Sequence, residues 1–251
     1  MYASTLTTTV DRAKVLPAEV SWIPNVERAQ ARAEFATPLL LDEEIYLAAP
    51  IRKGKRYPRQ KNVQGFYYFS ATGHHVWHES LLEAAVMRWL DMSEDIVAIA
   101  AQPATILFAD GSEHTPDFLA LHSDHRQVLY DVKPLRLIEK YAEQFEKTRR
   151  LCEVVGWGYE VHPELPRQVD INLSWLAAFR HPGYHPGQAA AERLFGALQN
   201  PMPLGVAAAT LGMTDLAHGR SALFHLIWAG LLTLDLTHHL TDNTLIERTA
   251  K

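Results

Sequence analysis

The chain has 251 residues, of which 47% are hydrophobic and 21% charged, and its net charge is −5. This composition excludes a disordered chain, and the acidic balance excludes a protein that coats nucleic acid over its whole surface. The length suffices for one large or two smaller domains. No apolar run approaches the roughly 18 residues of a membrane span, and residues 1–17 lack an apolar signal core. We therefore expect a cytoplasmic protein with no membrane partner.

The cysteine and histidine residues limit which kinds of metal site the chain can form. The single cysteine, Cys152, excludes an internal disulfide and a cysteine-based zinc site. Three histidines cluster at His74, His75 and His78, but no second ligand group follows at defined spacing. We interpret this cluster as part of a turn and a strand end.

Residues 1–64 form a predicted N-terminal arm, partly helical over residues 24–44. The arm carries a segment with six basic side chains and no acidic one: Arg52, Lys53, Lys55, Arg56, Arg59 and Lys61. Such a segment can pair with DNA phosphates, and it can equally be a solvated basic loop. Both interpretations remain open.

A predicted α/β domain follows over residues 65–180. Two short strands flank an Ala-Thr-Gly turn, and a helix begins near Ser80, where Glu83 three residues later completes a capping box. Residues 96–109 are predicted to form one strand. A turn at Asp110-Gly111 then leads into the next element.

Residues 114–134, HTPDFLALHSDHRQVLYDVKP, predict a β-hairpin. Its two apolar arms lie symmetrically about Asp124. Without a bulge, Asp117 lies opposite Asp131, and directly opposed residues have Cβ atoms roughly 5 Å apart. Lys133 comes two residues after Asp131 and therefore points to the same face.

Two carboxylates so close together favour a cation between them or a proton on one of them. Oxygen ligands of this kind suit Mg²⁺ or Mn²⁺, and a neighbouring lysine can orient an attacking water. The alternative is a solvated hairpin face with one ion pair between Lys133 and an aspartate. The hairpin motif alone leaves both interpretations open.

After the hairpin, Pro134 starts a predicted helix of about twenty residues that Gly156 ends. A strand and a helix at residues 171–181 complete the domain. The Pro/Gly-rich stretch 181–187 is the predicted boundary. Residues 181–251 are predicted as three helices and a terminal hairpin, which suggests a winged helix-turn-helix.

Four motifs in this order and spacing carry a resemblance: HESLLEAAVMRWLD, AQP, HTPDF and DVKP. The sequence resembles the TnsA-like endonuclease subunits of heteromeric transposases, closely over residues 65–165 and more loosely beyond. The resemblance implies a restriction-endonuclease-like fold, a mixed sheet flanked by helices. Matched by position, the catalytic residues would be Glu83, Asp117, Asp131 and Lys133, with the three carboxylates as metal ligands.

Two further residues need separate interpretation. Glu79 lies four residues before Glu83, on nearly the same helical face, and is the rival for the helix carboxylate. Family position favours Glu83, although its capping role alone would explain a glutamate there. Gln102 precedes Pro103 on a strand that leads toward the site, and it either positions substrate or bonds within the sheet.

The resemblance implies Mg²⁺-dependent cleavage of double-stranded DNA at the 5′ ends of a transposon, with Mn²⁺ able to substitute. A TnsB-like transposase would cut the 3′ ends, and a TnsC-like ATPase would join the assembly through the C-terminal domain. The candidate recognition helix there has a single arginine, Arg220, which favours protein docking over DNA reading. The alternatives are a free-standing restriction or repair endonuclease of this fold, and a non-catalytic DNA-binding scaffold.

Overall fold

The structure, a computed structural model, describes residues 18–51 and 63–249. The chain has a mixed α/β architecture with antiparallel and mixed sheets. The strands are β1 (Glu19–Trp22), β2 (Arg32–Phe35), β3 (Gly65–Phe69), β4 (His74–His78), β5 (Ile96–Ala101), β6 (Ala104–Leu107), β7 (Glu113–His114), β8 (Phe118–His122), β9 (Gln127–Val132), β10 (Gly158–His162), β11 (Met202–Pro203), β12 (Leu232–Leu234) and β13 (Leu245–Arg248). The α-helices are α1 (Leu81–Ser93), α2 (Leu135–Ile138), α3 (Ala142–Val155), α4 (Arg167–Leu176), α5 (Gln188–Ala197), α6 (Leu204–Thr210) and α7 (Leu216–Trp228).

The described residues divide into two compact units. The first comprises 18–51 and 97–162, and the second comprises 63–96 and 163–249. The Pro/Gly-rich stretch 181–187 falls inside the second unit. No described helix is long and apolar enough to cross a membrane.

The first unit contains two four-stranded sheets, with strand orders β2-β1-β6-β7 and β10-β9-β8-β5. In the second of these sheets β8 and β9 are antiparallel, while β9 and β10 run parallel. Leu119 and Leu129 point from this sheet into a core that also contains Leu151 and Cys152 of α3. Burial raises the pKa of the Cys152 thiol, and the Asp131 charge adds to that effect. One face of the hairpin is therefore packed against α3.

In this unit one sequence prediction is confirmed only in part and another is wrong. The 24–44 segment contains strand β2 and a short 3₁₀ helix at Pro38–Asp42, and β1 pairs antiparallel with β6. The predicted single strand 96–109 is two strands in different sheets, broken at Gln102, whose φ is +46°. Pro103 is the local signal for this break, because proline cannot donate a hydrogen bond to a neighbouring strand, but the apolar residues on both sides favour one continuous strand.

The hairpin and the helix after it are confirmed. Phe118 pairs with Tyr130 and Leu121 with Gln127, the register expected from symmetry about Asp124. The helix runs as α2, a 3₁₀ turn and α3, and it ends at Gly156, whose φ is +96°. Only glycine adopts this left-handed conformation without strain.

The second unit consists of the β3–β4 hairpin, helices α1 and α4 to α7, and a small antiparallel sheet of order β11-β13-β12. The predicted C-terminal helices and the two final strands are confirmed. Their apolar faces form one core, in which Leu194, Leu211, Leu223 and Ile246 are fully buried. The described α4 begins earlier than the predicted helix, at Arg167.

Helices α6 and α7 approach each other closely at Gly219. A Cβ atom at this position would lie 2.4 Å from the carbonyl oxygen of Ala208. We expect Gly219→Ala to lower the free energy of unfolding by roughly 1–3 kcal/mol, because backbone must move to relieve the overlap. Gly196→Ala in α5 is the control, since nothing lies within 4 Å of its added Cβ. The free energy of unfolding of Gly196→Ala should rise by up to about 1 kcal/mol, because alanine has the higher helix propensity. If urea unfolding gave the same change for Gly219→Ala and Gly196→Ala, the packing argument would be contradicted.

Candidate active site

Asp117 is fixed at the start of β8 by bonds to both neighbouring segments. Its amide donates to the carbonyl of Tyr130 at 3.1 Å, and its own carbonyl accepts from the amide of Gln102 at 2.8 Å. The carboxylate accepts a hydrogen bond at Oδ2 from the amide of Val132, at 2.7 Å. The half-buried Asp117 side chain is thus tied to the strand segment between Asp131 and Lys133.

Asp131 is the most deeply buried of the predicted site residues, with 1% of its surface exposed. Its Oδ2 accepts from His114 Nε2 at 2.8 Å and from the Tyr159 hydroxyl at 2.5 Å. Burial, followed by the Asp131 charge, raises the pKa of Tyr159, so the phenol keeps its proton and donates it. Both bonds go to Oδ2, so Oδ1 is the oxygen that would be available to a cation.

Lys133 follows on the same side of β9 as Asp131, in accordance with the two-residue period of a strand. Its amide donates to the carbonyl of His162 at 3.0 Å, which fixes the backbone against β10. The ammonium group lies 5.0 Å from the centre of the Tyr141 ring, a cation–π contact. Lys140 contacts the same ring at 5.5 Å, so two cations flank one aromatic side chain.

Gln102 combines two unfavourable features. Its φ of +46° is in the left-handed region, and its buried side-chain oxygen Oε1 has no hydrogen-bond partner within the described residues. Its backbone bonds to Asp117 and also accepts from the amide of Ile51. Strain and an unpaired buried oxygen at one residue beside a candidate ligand are typical of functional positions.

We expect Gln102→Gly to be more stable than Gln102→Ala by about 1 kcal/mol, because only glycine adopts this φ without strain. Both variants lose Oε1, so they differ only in how their backbone tolerates this φ. His125→Gly is the matched control, since exposed His125 also has positive φ, at +69°. We expect its free energy of unfolding to exceed that of the wild type by a similar amount. Equal unfolding free energies for Gln102→Gly and Gln102→Ala would exclude the strain.

Glu83 forms the predicted capping box at the start of α1. Ser80 Oγ accepts from the Glu83 amide at 3.1 Å and donates to Oε1, and the Glu79 amide donates to Oε2 at 2.7 Å. These contacts explain a glutamate here structurally. Glu83 and Glu79 belong to the second unit, and a role for either beside Asp117 and Asp131 stays a prediction.

The basic segment predicted to contact phosphates lies outside the described residues, which resume at Val63. Among described residues, no group of three or more His, Cys, Asp or Glu side chains could hold a metal ion. Of the three predicted carboxylate ligands, Asp117 and Asp131 belong to the first unit. Two carboxylates are hard oxygen donors of the kind that Mg²⁺ or Mn²⁺ prefers, and both ions also retain water ligands.

His114 and Tyr159 are the site residues that sequence reasoning missed. They lie 17 and 28 residues from Asp131 along the chain. The sequence does contain a signal for His114, because it stands in the HTPDF motif. Tyr159 has no such signal, since the parallel pairing of β9 and β10 brings it close.

No protein-family model matches the sequence, and a search of curated proteins gives no match. The motifs and the geometry of the hairpin are consequently the basis for assigning a function.

Proposed function

We propose that the protein is a Mg²⁺-dependent DNA endonuclease, the TnsA-like subunit of a heteromeric transposase. Its first unit would have the restriction-endonuclease-like fold and would cleave the 5′ ends of the transposon. The observation that carries the proposal is the hairpin register, in which Phe118 pairs with Tyr130 and Asp117 accepts from the Val132 amide. This register brings two carboxylates and a lysine to one end of a strand pair.

In this proposal Asp117 and Asp131 would hold Mg²⁺. The bound ion would polarise the scissile phosphate and neutralise its charge. Lys133 would orient the water whose oxygen forms the new bond to phosphorus, while the bond to the leaving sugar oxygen breaks. The Tyr141 contact limits the range of positions open to the Lys133 ammonium.

The C-terminal part of the second unit would be a winged helix that docks protein partners. Three helices, α5 to α7, precede the antiparallel pair β12–β13, an order that suits this fold. Arg220 of α7 makes two bonds to the Asp242 carboxylate, at 3.0 and 2.5 Å. An arginine paired in this way is a poor reader of bases, which favours a TnsC-like ATPase as the partner here.

The proposal is tested by incubating the full chain, its cognate TnsB-like and TnsC-like partners and a transposon-end duplex with Mg²⁺, Mn²⁺ or EDTA. We expect cleavage with either ion and none with EDTA. Cleavage in EDTA, or none in any condition when transposase activity is intact, would contradict a metal-dependent nuclease. A methyltransferase gene beside this one, instead of transposase and ATPase genes, would favour a restriction enzyme.

A further inference from the structure

A chain of buried polar contacts converges on the Asp131 carboxylate. Gln144 of α3 bonds His114 at Nδ1, and His114 of β7 bonds Asp131 through Nε2. Tyr159 of β10 donates to the same carboxylate oxygen. The Arg149 guanidinium lies 5.5 Å from the centre of the Tyr159 ring. Two sheets and one helix of the first unit therefore fix the position of a single side chain.

The donor and acceptor roles in this chain follow from its chemistry. A carboxylate can only accept, so His114 carries a proton on Nε2 and donates it to Asp131. The Gln144 amide nitrogen can only donate, so Nδ1 of His114 is the acceptor. His114 is 5% exposed and Asp131 1%, so the bond between these two side chains is shielded from water.

We propose that His114 is a positioning residue for the metal site, acting through Asp131. This inference rests on the proposed function. His114 and Tyr159 together hold Oδ2, which leaves Oδ1 to bind the cation as a single oxygen ligand. Partners of metal ligands typically orient the ligand, and their loss weakens metal binding by about 10- to 100-fold.

A buried histidine on the neighbouring strand β8, His122, provides a matched control. His122 is also buried, and its Nε2 lies 2.9 Å from the Tyr130 hydroxyl. Tyr130 and Asp131 are adjacent on β9, so their side chains point to opposite faces of the sheet. Substitution of His122 therefore removes a comparable buried ring without touching the Asp131 carboxylate.

The experiment measures binding of Mn²⁺ to the full-length protein without DNA, from the electron paramagnetic resonance signal of the free ion. His114→Phe keeps an aromatic ring and removes the donor, and we expect its dissociation constant to rise about 10- to 100-fold. His114→Gln places an amide N–H near the former Nε2 and should restore most of the affinity. His122→Phe should bind Mn²⁺ as tightly as wild type. Circular dichroism at the assay temperature verifies that each variant is folded.

The outcomes separate this inference from the proposed function. Suppose that Asp117→Asn abolishes Mn²⁺ binding while His114→Phe binds as wild type does. The metal site then stands and the positioning role is wrong. Equal losses of Mn²⁺ affinity in His114→Phe and His122→Phe would also overturn the positioning role, because a general packing defect would explain them. The same holds if His114→Gln recovers none of the affinity. If wild type binds no Mn²⁺, or Asp117→Asn binds it normally, the metal site and the inference are both wrong.

Discussion

Asp117→Asn should abolish detectable cleavage of the 5′ strand, a loss of about 10³-fold or more. Removing one charged ligand costs several kcal/mol of transition-state stabilisation, and each 1.36 kcal/mol is tenfold in rate. We expect the variant to fold, because the asparagine oxygen can still accept from the Val132 amide. The measurement is the initial rate of strand cleavage with Mg²⁺, at equal protein concentration.

The same hairpin provides the control for this prediction. Asp124 lies exposed at the turn and pairs with Arg126 at 2.6 Å. Asp124→Asn removes the same charge from the same hairpin, and we expect it to cleave at the wild-type rate. A similar loss of cleavage rate in both variants would mean that the total negative charge of the hairpin controls the reaction, and not a metal ligand at Asp117. Wild-type cleavage by Asp117→Asn would exclude Asp117 as a ligand.

Asp91→Asn should produce the largest loss of stability from a single isosteric change, roughly 2–4 kcal/mol. The buried Asp91 carboxylate accepts four hydrogen bonds. Oδ2 accepts from the Tyr67 hydroxyl and the Ser70 amide, and Oδ1 accepts from the Ser70 hydroxyl and the Ala71 amide. Whichever oxygen becomes NH₂, one backbone amide loses its acceptor, because an amide cannot rotate as a hydroxyl does. Urea unfolding followed by circular dichroism measures the change.

Two variants test the reason for this loss. Asp42→Asn alters an exposed aspartate at the end of the 3₁₀ helix Pro38–Asp42 and should change the unfolding free energy by no more than about 0.5 kcal/mol. Tyr67→Phe removes one donor and leaves both amides bonded, so its cost should be smaller than that of Asp91→Asn. If Tyr67→Phe were as destabilising as Asp91→Asn, the amides would not be the decisive partners.

Local sequence signals predicted those parts of the fold that depend on neighbouring residues. The hairpin register follows from apolar arms symmetric about Asp124, and the start of α1 follows from Ser80 and Glu83. Gly156 ends α3 because its left-handed conformation is allowed only to glycine at low cost. The mixed α/β architecture and the hairpin register could therefore be predicted from the sequence.

The remaining features depend on contacts between distant residues. Ser21 bonds the carbonyl of Thr105, 84 residues away, and no local pattern predicts the β1–β6 pairing that brings them together. The break at Gln102 has a local signal in Pro103, but the left-handed φ of Gln102 and the separation of β5 and β6 into different sheets have none. Tyr159 reaches Asp131 only through the parallel pairing of β9 and β10, in which Val161 is opposite Asp131. These tertiary contacts override sequence periodicity.

The most direct test of the proposed function is strand-specific mapping of cuts at a transposon end. Wild type and Asp117→Asn are compared, each with the cognate transposase, ATPase and Mg²⁺. The proposed function predicts that the variant loses the 5′-strand cuts and retains the 3′-strand cuts made by the transposase. Unchanged cuts on both strands would contradict it, and the 114–134 segment would then be an ordinary hairpin in a DNA-binding scaffold.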